Sequence, residues 1–354
     1  MAIDVKVTIN QAKPVLSSGF GFPLIFDGKA TTAIPYTECS GIDEIIRCIG
    51  GITSEDDEAT IETKTEAAKE TDLYKAAALM LSQSNPPKTI AICATTTAAT
   101  TGLASILYQG WRQLVVVSAG KDGEDTMQKI SEYIETTRDK MYFASVDSVT
   151  DLSGEGAISK RDRTVILCHK DINADIKFPE AALVGASAGK AAGSITYKNL
   201  ILRGITPKVL TDTQINAIHD AHAMAFVLKS GDGVTSDGKA TSDEYIDIID
   251  SIDFIVQNIE YRTQKILNTY DKVPYTNAGI SVLENACVSV LQDAANNGII
   301  ALDDNGVPDY SVSYKKRSET KESDRAARRY VEGSFRFALA GAIHTVEVVG
   351  EIEI

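Results

Sequence analysis

The sequence reads T-I-A-I-C-A at Thr89–Ala94, L-V-V-V-S at Leu114–Ser118 and M-Y-F-A-S at Met141–Ser145. Each is a short apolar run of the kind that forms a buried strand. The segment Asp125–Arg138 carries a helical apolar stripe, and Val165–Cys168 provides a fourth candidate strand. Strands that alternate with helices in this way predict an α/β arrangement of layers.

The pattern becomes mainly helical from about residue 195. The polar stretch Ser230–Lys239 predicts a loop or irregular hairpin, and the chain after Gly333 predicts a strand. We therefore expect a mixed α/β chain of two domains with a boundary near residue 200. Four helices are predicted from apolar periodicity and terminal signals, at Thr211–Leu228, Glu244–Tyr270, Ala278–Asn296 and Ser318–Val331.

Both ends of the chain alternate between apolar and polar residues, which is the signature of a strand with one buried face. No turn and second alternating run follows closely enough to form a tight hairpin with either end. From the residues alone, pairing within the same subunit and pairing with another chain remain equally open. The apolar positions are Ile3, Val5, Val7 and Ile9 at the start and Val346, Val348, Ile352 and Ile354 at the end.

Composition limits the classes of function. At 354 residues, the chain is long enough for two domains. Its net charge of −14 argues against general binding to nucleic acid or to an anionic membrane. The five cysteines are widely spaced without a C-x-x-C pair, which predicts a reducing compartment and no zinc site or disulfide framework. No signal region or apolar run of about 18 residues is evident, so we expect cytoplasmic synthesis without membrane insertion.

Two short motifs suggest chemistry, and each has a simpler explanation. Gly185–Gly189 matches the G-x-S-x-G elbow, in which Ser187 would be exposed on a strand-to-helix turn, but this pattern is common by chance in Gly- and Ala-rich sequence. His219 and His222 lie about one helical turn apart, yet no third metal ligand follows nearby. We therefore predict no catalytic residue, no cofactor and no metal site, and keep a serine hydrolase at Ser187 as an alternative.

The segment Lys315–Arg329 is basic within an acidic chain, with seven basic residues against three acidic ones. A solvated helix face is the usual explanation of such a run. Here its sign opposes that of the remaining chain, and the segment precedes the C-terminal strand. We interpret it as a docking face for a partner. On a helix, one face would carry Lys321, Arg325, Arg328 and Arg329.

The order of several motifs resembles contractile tail sheath proteins of myophages and R-type bacteriocins, which have relatives in type VI secretion. The likeness covers nearly the whole chain and is strongest after residue 195. The compact length is similar to that of bacteriocin or Gram-positive phage sheaths of the diffocin type. Phe-Ile follows Asp253 where many relatives have Trp. The likeness rests on Gly19–Phe26, Tyr74–Ala77, Lys140–Phe143, Lys198–Thr213, Asp247–Asp253, Lys272–Ile280, Asp324–Arg329 and Leu339–Gly350.

The resemblance implies a two-domain sheath subunit with extended strand arms at both ends. Residues 1–20 would form the N-terminal arm, 21–197 an outer α/β domain, 198–333 an inner domain facing a tube, and 334–354 the C-terminal arm. The arms would complete sheets in neighbouring subunits of stacked hexameric rings. The basic helix would contact the tail tube.

The implied function is structural: the sheath contracts and drives a rigid tube through the envelope of a target cell. The implied partners are further copies of the chain, the tail tube protein, and the baseplate and tail terminator proteins. Neither nucleic acid nor membrane insertion is expected. The chain would be made in the bacterial cytoplasm and released by lysis in an assembled particle. A non-contractile virion or tail tube protein is the alternative.

Overall fold

In the computed structural model, the described part of the chain is residues 20–118, 124–137, 139–152, 158, 160–169 and 178–346. Most of the predicted terminal strands lie outside these ranges. Within them, no helix is both long and apolar enough to cross a bilayer.

A six-stranded sheet forms the centre of the first half. Its strand order is β2-β3-β1-β4-β5-β6, and all neighbours are parallel except β2 and β3. The α/β prediction from the apolar runs is thus confirmed. The strands are β1 Phe22–Asp27, β2 Ile34–Cys39, β3 Ile90–Ala94, β4 Trp111–Val116, β5 Met141–Val146 and β6 Thr164–Cys168.

Helices cover both faces of this sheet, as a parallel sheet requires. One face packs Ile25, Ile92 and Phe143 against one set of helices, and the opposite face packs Leu24 and Leu114 against another. The strands are therefore apolar on both faces, which explains why they appear as continuous apolar runs in the sequence. The helices of this half are α1 Ile42–Gly50, α2 Glu58–Lys69, α3 Asp72–Leu81, α4 Ala99–Ser105, α5 Glu124–Thr137 and α6 Pro179–Ala188.

Glu180 lies in the first turn of α6 and is 4% exposed. Burial raises the pKa of its carboxyl to about 7, although a hydrogen bond with Ser145 opposes the shift. The folded-state pKa therefore exceeds the ordinary value of about 4.5, so ionisation disfavours the folded state. The penalty is absent below pH ~4.5, grows with rising pH, and is complete above pH ~7.

We expect the stability of Glu180→Gln relative to the native protein to rise with pH. The gain between pH 4.5 and pH 8 should be about 3 kcal/mol, because each pKa unit corresponds to about 1.4 kcal/mol. Urea unfolding at both pH values measures it. The control is Glu62→Gln, at an exposed position of α2. Its stability relative to the native protein should change by less than about 0.5 kcal/mol between the two pH values. A flat profile for Glu180→Gln would contradict this account.

The predicted helix Thr211–Leu228 is wrong in its second half. The helix, α7, spans Asp212–Asp220, and the chain then enters strand β7, Phe226–Lys229, which pairs with β8, Asp232–Thr235. His222 adopts a left-handed φ of 56° at the break. The apolar run that follows gains more by burial against β6, where Met224 bridges Leu167, than by continuing a surface helix. The loop or irregular hairpin predicted at Ser230–Lys239 overlaps only the turn and the second strand of the β7–β8 hairpin.

Two long helices dominate the last third, and both match their predictions to within a few residues. They are α8, Ile246–Thr269, and α9, Asn277–Asn296. A two-stranded antiparallel sheet covers them, formed by β9, Tyr310–Tyr314, and β10, Gly333–Phe337. Ile255 and Ile259 of α8 pack with residues of α9 in a core separate from the two cores of the large sheet.

Helix α8 contributes to two cores. Ile246 and Ile249 in its first turns belong to a core of the six-stranded sheet, whereas Ile255 and Ile259 belong to the core beneath the two-stranded sheet. Residues 198–245 also pack with the six-stranded sheet. The predicted boundary near residue 198 therefore does not coincide with the division between buried cores, which falls within α8.

Candidate functional site

A buried cluster of charged side chains lies where α8 passes from one core to the other. Asp250 and Asp253 are 6% and 7% exposed, and both belong to the D-I-I-D-S-I-D motif of the sequence. Arg112 of β4 lies 2.5 Å from Asp250 and 2.8 Å from Asp253. Arg163, just before β6, donates two hydrogen bonds to Asp253. The cluster thus joins two strands of the sheet to α8.

Further hydrogen bonds fix the geometry of this cluster. The Arg112 guanidinium also donates to the carbonyl oxygen of Asp139 at 2.9 Å, and the Tyr197 hydroxyl donates to Asp250 at 2.9 Å. Burial and the Asp250 carboxylate raise the pKa of Tyr197 well above its usual value. Burial alone would lower the pKa of Arg112, but the two carboxylates raise it overall. The arginine therefore stays charged while buried.

The point where the N-terminal segment joins the described fold lies against this cluster. The Phe20 ring covers the Arg112 guanidinium, with 4.2 Å between the guanidinium carbon and the ring centroid. The same ring packs edge-on against Phe254 of α8 at 5.8 Å. Gly21 has a φ of 91°, and a Cβ there would come within 2.7 Å of the Arg112 Cβ. A glycine is therefore needed for the chain to pass so close to the cluster.

The C-terminal segment reaches the same end of α8. After β10, Leu339 forms a β-bridge with Ile300, and the chain turns at Gly341. This turn brings His344 from the helical unit, which contains α9 and the two-stranded sheet, to the sheet unit, which contains the six-stranded sheet. The His344 Nε2 lies 2.8 Å from the Thr196 hydroxyl, and its ring packs edge-on against Tyr245, the residue before α8, at 4.9 Å. Phe20 thus contacts α8 at Phe254, and His344 contacts the N-cap residue Tyr245, nine positions earlier in the chain.

The side chain of Ile299 packs directly against the backbone of Gly193 where the two units meet. Gly193 has a φ of 75°, and a Cβ on it would lie 2.1 Å from Ile299, which follows α9. An open cleft of about 160 Å³ lies next to this contact, between the segment at Gly193–Thr196 and the C-terminal segment at Leu339–Ala342. The junction between the units is therefore built from small residues, a buried ion cluster and two aromatic contacts.

The predicted strand residues lie mostly beyond the described part of the chain. Val346 is described and is 75% exposed. It follows directly on the segment anchored by His344. The predicted positions outside the described residues are Ile3, Val5, Val7, Ile9, Val348, Ile352 and Ile354.

The predicted basic helix Ser318–Val331 is wrong in extent. The helix there, α10, spans Glu322–Ala326, and Arg328 has a left-handed φ of 54° just beyond it. Arg325 donates to the carbonyl oxygen of Thr320 and so closes its own turn. Arg329 pairs with Asp324 at 2.8 Å. The four basic residues therefore do not share one helix face, although Lys321, Arg328 and Arg329 are exposed.

Neither motif that suggested chemistry has the necessary geometry. Ser187 lies inside helix α6 and is buried, and its hydroxyl donates to the carbonyl oxygens of Leu183 and Val184 at 3.0 and 3.1 Å. It is therefore not on an exposed elbow. His219 contacts Ser236 at 2.9 Å, and His222 lies past the end of α7. Among the described residues, no group of three or more His, Cys, Asp or Glu side chains is arranged to hold a metal ion.

Sequence reasoning missed the ion cluster, although a signal for it exists. Asp250 and Asp253 follow Ile246 and Ile249 by four residues each, so they lie on the apolar stripe of α8. Aspartates on such a stripe are buried and need cationic partners. The partners themselves could not be identified, because Arg112 is 138 residues away from Asp250.

This fold, a six-stranded α/β unit joined through one long helix to a helical unit with a two-stranded sheet, is shared with solved sheath subunits. The chain aligns with a subunit of the contracted helical sheath of the anti-feeding prophage at 10% identity, 99% coverage of each chain and a TM-score of 0.70. It also aligns with a subunit of the contracted PVC sheath complex, an extracellular contractile injection system. That alignment has 13% identity, covers 99% of each chain and has a TM-score of 0.66.

The sheath tail protein of Desulfitobacterium hafniense aligns at 10% identity and a TM-score of 0.53, over 87% of this chain and 93% of that chain. In sequence, residues 246–352 match the family model described as "E217 tail sheath protein gp31-like, C-terminal domain". No curated protein sequence matches the chain. The resemblance to contractile tail sheath proteins is thus confirmed, in fold over the whole chain and in sequence over its C-terminal third.

Proposed function

We propose that this chain is the subunit of a contractile tail sheath, a helical array around a rigid tube that shortens to drive the tube through a target envelope. The observation that carries the proposal is the alignment of the whole chain with subunits of two contracted sheaths. The match of residues 246–352 to a tail sheath family supports it independently in sequence. The role is structural and not enzymatic, and the buried position of Ser187 argues against the hydrolase alternative.

The junction at α8 suits a subunit that transmits force. The ion cluster, the Gly193–Ile299 contact and the shared helix hold the two units as one body. Phe20 packs on Phe254 within α8, and His344 packs on Tyr245 at the N-cap of the same helix. In an assembled sheath, forces applied through either arm would thus reach the subunit near the N-terminal part of α8.

The arms would link subunits by strand addition, in which main-chain hydrogen bonds provide affinity and alternate side chains provide register. Each arm offers four apolar residues on one face, and burying each stabilises by about 1.5–3 kcal/mol. The free energy for contraction would be stored when the extended lattice assembles and released as subunits gain contacts. The proposed particle also contains a tail tube, a baseplate and a terminator, is assembled from hexameric rings, and leaves the producing bacterium by lysis.

We propose that the basic segment around α10 faces the tube, through its exposed residues. Lys321 and Arg328 suit this role best, because Arg325 closes its own turn and Arg329 pairs with Asp324. Reversing both charges, with Lys321→Glu and Arg328→Glu, should weaken association with the tube at least ~10-fold while changing stability by less than ~0.5 kcal/mol.

Co-sedimentation of the chain with assembled tubes at low and high salt measures this effect. Lys29→Glu with Lys88→Glu makes the same change in net charge on exposed residues of the sheet unit. That control should co-sediment as the native chain does. Equal loss in both double variants would assign the effect to net charge and contradict a tube-facing segment.

Electron microscopy of the purified chain tests the assembly function. We expect hollow tubes with a helical repeat, formed by the chain alone or on added tubes. A chain that stays monomeric under both conditions would contradict the proposal. A narrow tube that keeps one diameter and one length would favour the alternative, a non-contractile tube protein.

A further inference from the structure

The open cleft beside Gly193 exposes apolar side chains at the junction of the two units. Ile195, Ile248 and Leu339 line it, and each of them is only half-buried. The volume of the cleft, about 160 Å³, is similar to that of apolar protein cavities that bind benzene. The cleft therefore has room for one leucine-sized side chain.

A narrower cavity adjoins the cleft and lies where the described chain begins. It has a volume of about 30 Å³, and it shares Gly193, Ile195 and Asp247 with the lining of the cleft. Phe20 and Gly21 belong to the same lining. Because the Phe20 ring is held against the ion cluster and α8, the chain that precedes Phe20 reaches the fold at this narrow cavity.

The sequence before Phe20 matches the two cavities in order. The residues next to Phe20 are small, at Ser17–Gly19, and they are preceded by the apolar pair Val15 and Leu16. The narrow cavity is itself small, and the four residues from Leu16 to Phe20 span up to about 14 Å when extended, which is enough to pass it. Small residues also line the narrow cavity, at Ser187, Ala188, Ala191 and Ala192.

We propose that the segment before Phe20 docks on its own subunit and places the Leu16 side chain in the cleft. Leu16 covers the half-buried side chains of Ile195, Ile248 and Leu339, and removing this apolar surface from water favours docking. The same chain is the occupant that the structure favours, because it already begins at the rim of the narrow cavity. A second copy would lose translational and rotational freedom on binding, whereas the tethered segment does not.

Docking places the N-terminal segment beside the C-terminal segment, since Leu339 and Ala342 form one wall of the cleft. The two terminal strands then leave the subunit from neighbouring points. This docking occurs within one chain and does not depend on assembly into a sheath. Failure of sheath assembly and failure of docking are therefore separate results.

Thermolysin, which cuts before large apolar residues, tests the docking in the monomeric fraction of the full-length chain. Mass spectrometry follows the cut before Leu16, and a free peptide of residues 9–19 gives the rate of the same cut without the fold. We expect the cut to be at least ~10-fold slower in the native chain than in the peptide, because a docked segment must detach before it is cleaved.

Two tryptophan variants assign the protection to the cleft. Ala342→Trp fills the cleft from an exposed position of its wall and should make the cut as fast as in the peptide. Ala340→Trp makes the same change at an exposed position of the same segment outside the lining, and should leave the cut slow. If Ala342→Trp does not fold, Ser194→Trp fills the cleft from another exposed position of the lining.

Three results would overturn the proposal. The first is a cut before Leu16 that is as fast in the native chain as in the peptide. The second is a slow cut that neither cleft-filling variant accelerates, which would place the segment elsewhere. The third is protection that disappears on dilution from about 50 µM to about 1 µM, which would identify a second copy as the occupant.

Discussion

Asp253→Asn should destabilise the fold by about 3–5 kcal/mol, the usual cost of removing one partner from a buried ion pair. The substitution keeps the shape of the side chain and removes the charge that pairs with both Arg112 and Arg163. Arg163 would then lose the carboxylate with which it pairs, and Arg112 would keep only that of Asp250. Chemical denaturation, followed by circular dichroism, measures the loss.

A more exposed ion pair between α8 and α9 provides the matched control. Arg262 of α8 pairs with Asp293 of α9, and the Asp293 side chain is 47% exposed. Asp293→Asn should cost at most about 1 kcal/mol, because water screens exposed pairs. Similar losses for the two variants would mean that the buried cluster does not hold the junction, and the proposed rigid body would lose its main support.

Deleting Val346–Ile354 should abolish long helical assemblies and leave a soluble, folded subunit. The described fold depends on the segment up to His344, which the deletion retains. The removed residues carry the alternating pattern that we expect to pair with a neighbouring chain. Since every subunit in the array would lose the same strand contacts, the effect on assembly should be all-or-none. Electron microscopy and thermal unfolding measure the two properties separately.

Point variants within the same segment refine this prediction. Ile352→Asn with Ile354→Asn should prevent assembly, because both residues belong to the apolar parity of the strand. Glu351→Gln with Glu353→Gln changes the other parity and should still assemble. Assembly by the deletion variant, or equal loss in both double variants, would argue against a strand with one buried face.

Much of the fold could be predicted from the sequence. This holds for helices with long apolar stripes and for strands that are buried on both faces. Helices α8 and α9 were located within a few residues because their apolar stripes extend over five or more turns. The strands β3 to β6 were located because both faces are buried. The helix predicted at Thr211–Leu228 failed because its last residues are apolar without a break, and tertiary pairing with β6 decided their conformation.

The junction between the units could be predicted far less well. Its contacts join Phe20 to Arg112, Gly193 to Ile299 and Thr196 to His344, and none of these pairs leaves a local pattern. The basic segment failed for a different reason: charge spacing described a helix, whereas the left-handed Arg328 ends it. The proposed tube-facing role of the segment rests on the family resemblance, and only the structure separates its exposed side chains from those that hold the local turn.

The length of particles that contain this chain tests the central claim most directly. Electron microscopy of purified particles, with antibody against the chain to label them, should reveal two populations: long, narrow sheaths, and short, wide sheaths with a protruding tube. The label should follow the sheath in both. Labelled particles of a single length and width, before and after a contraction stimulus such as mild denaturant, would contradict a contractile sheath.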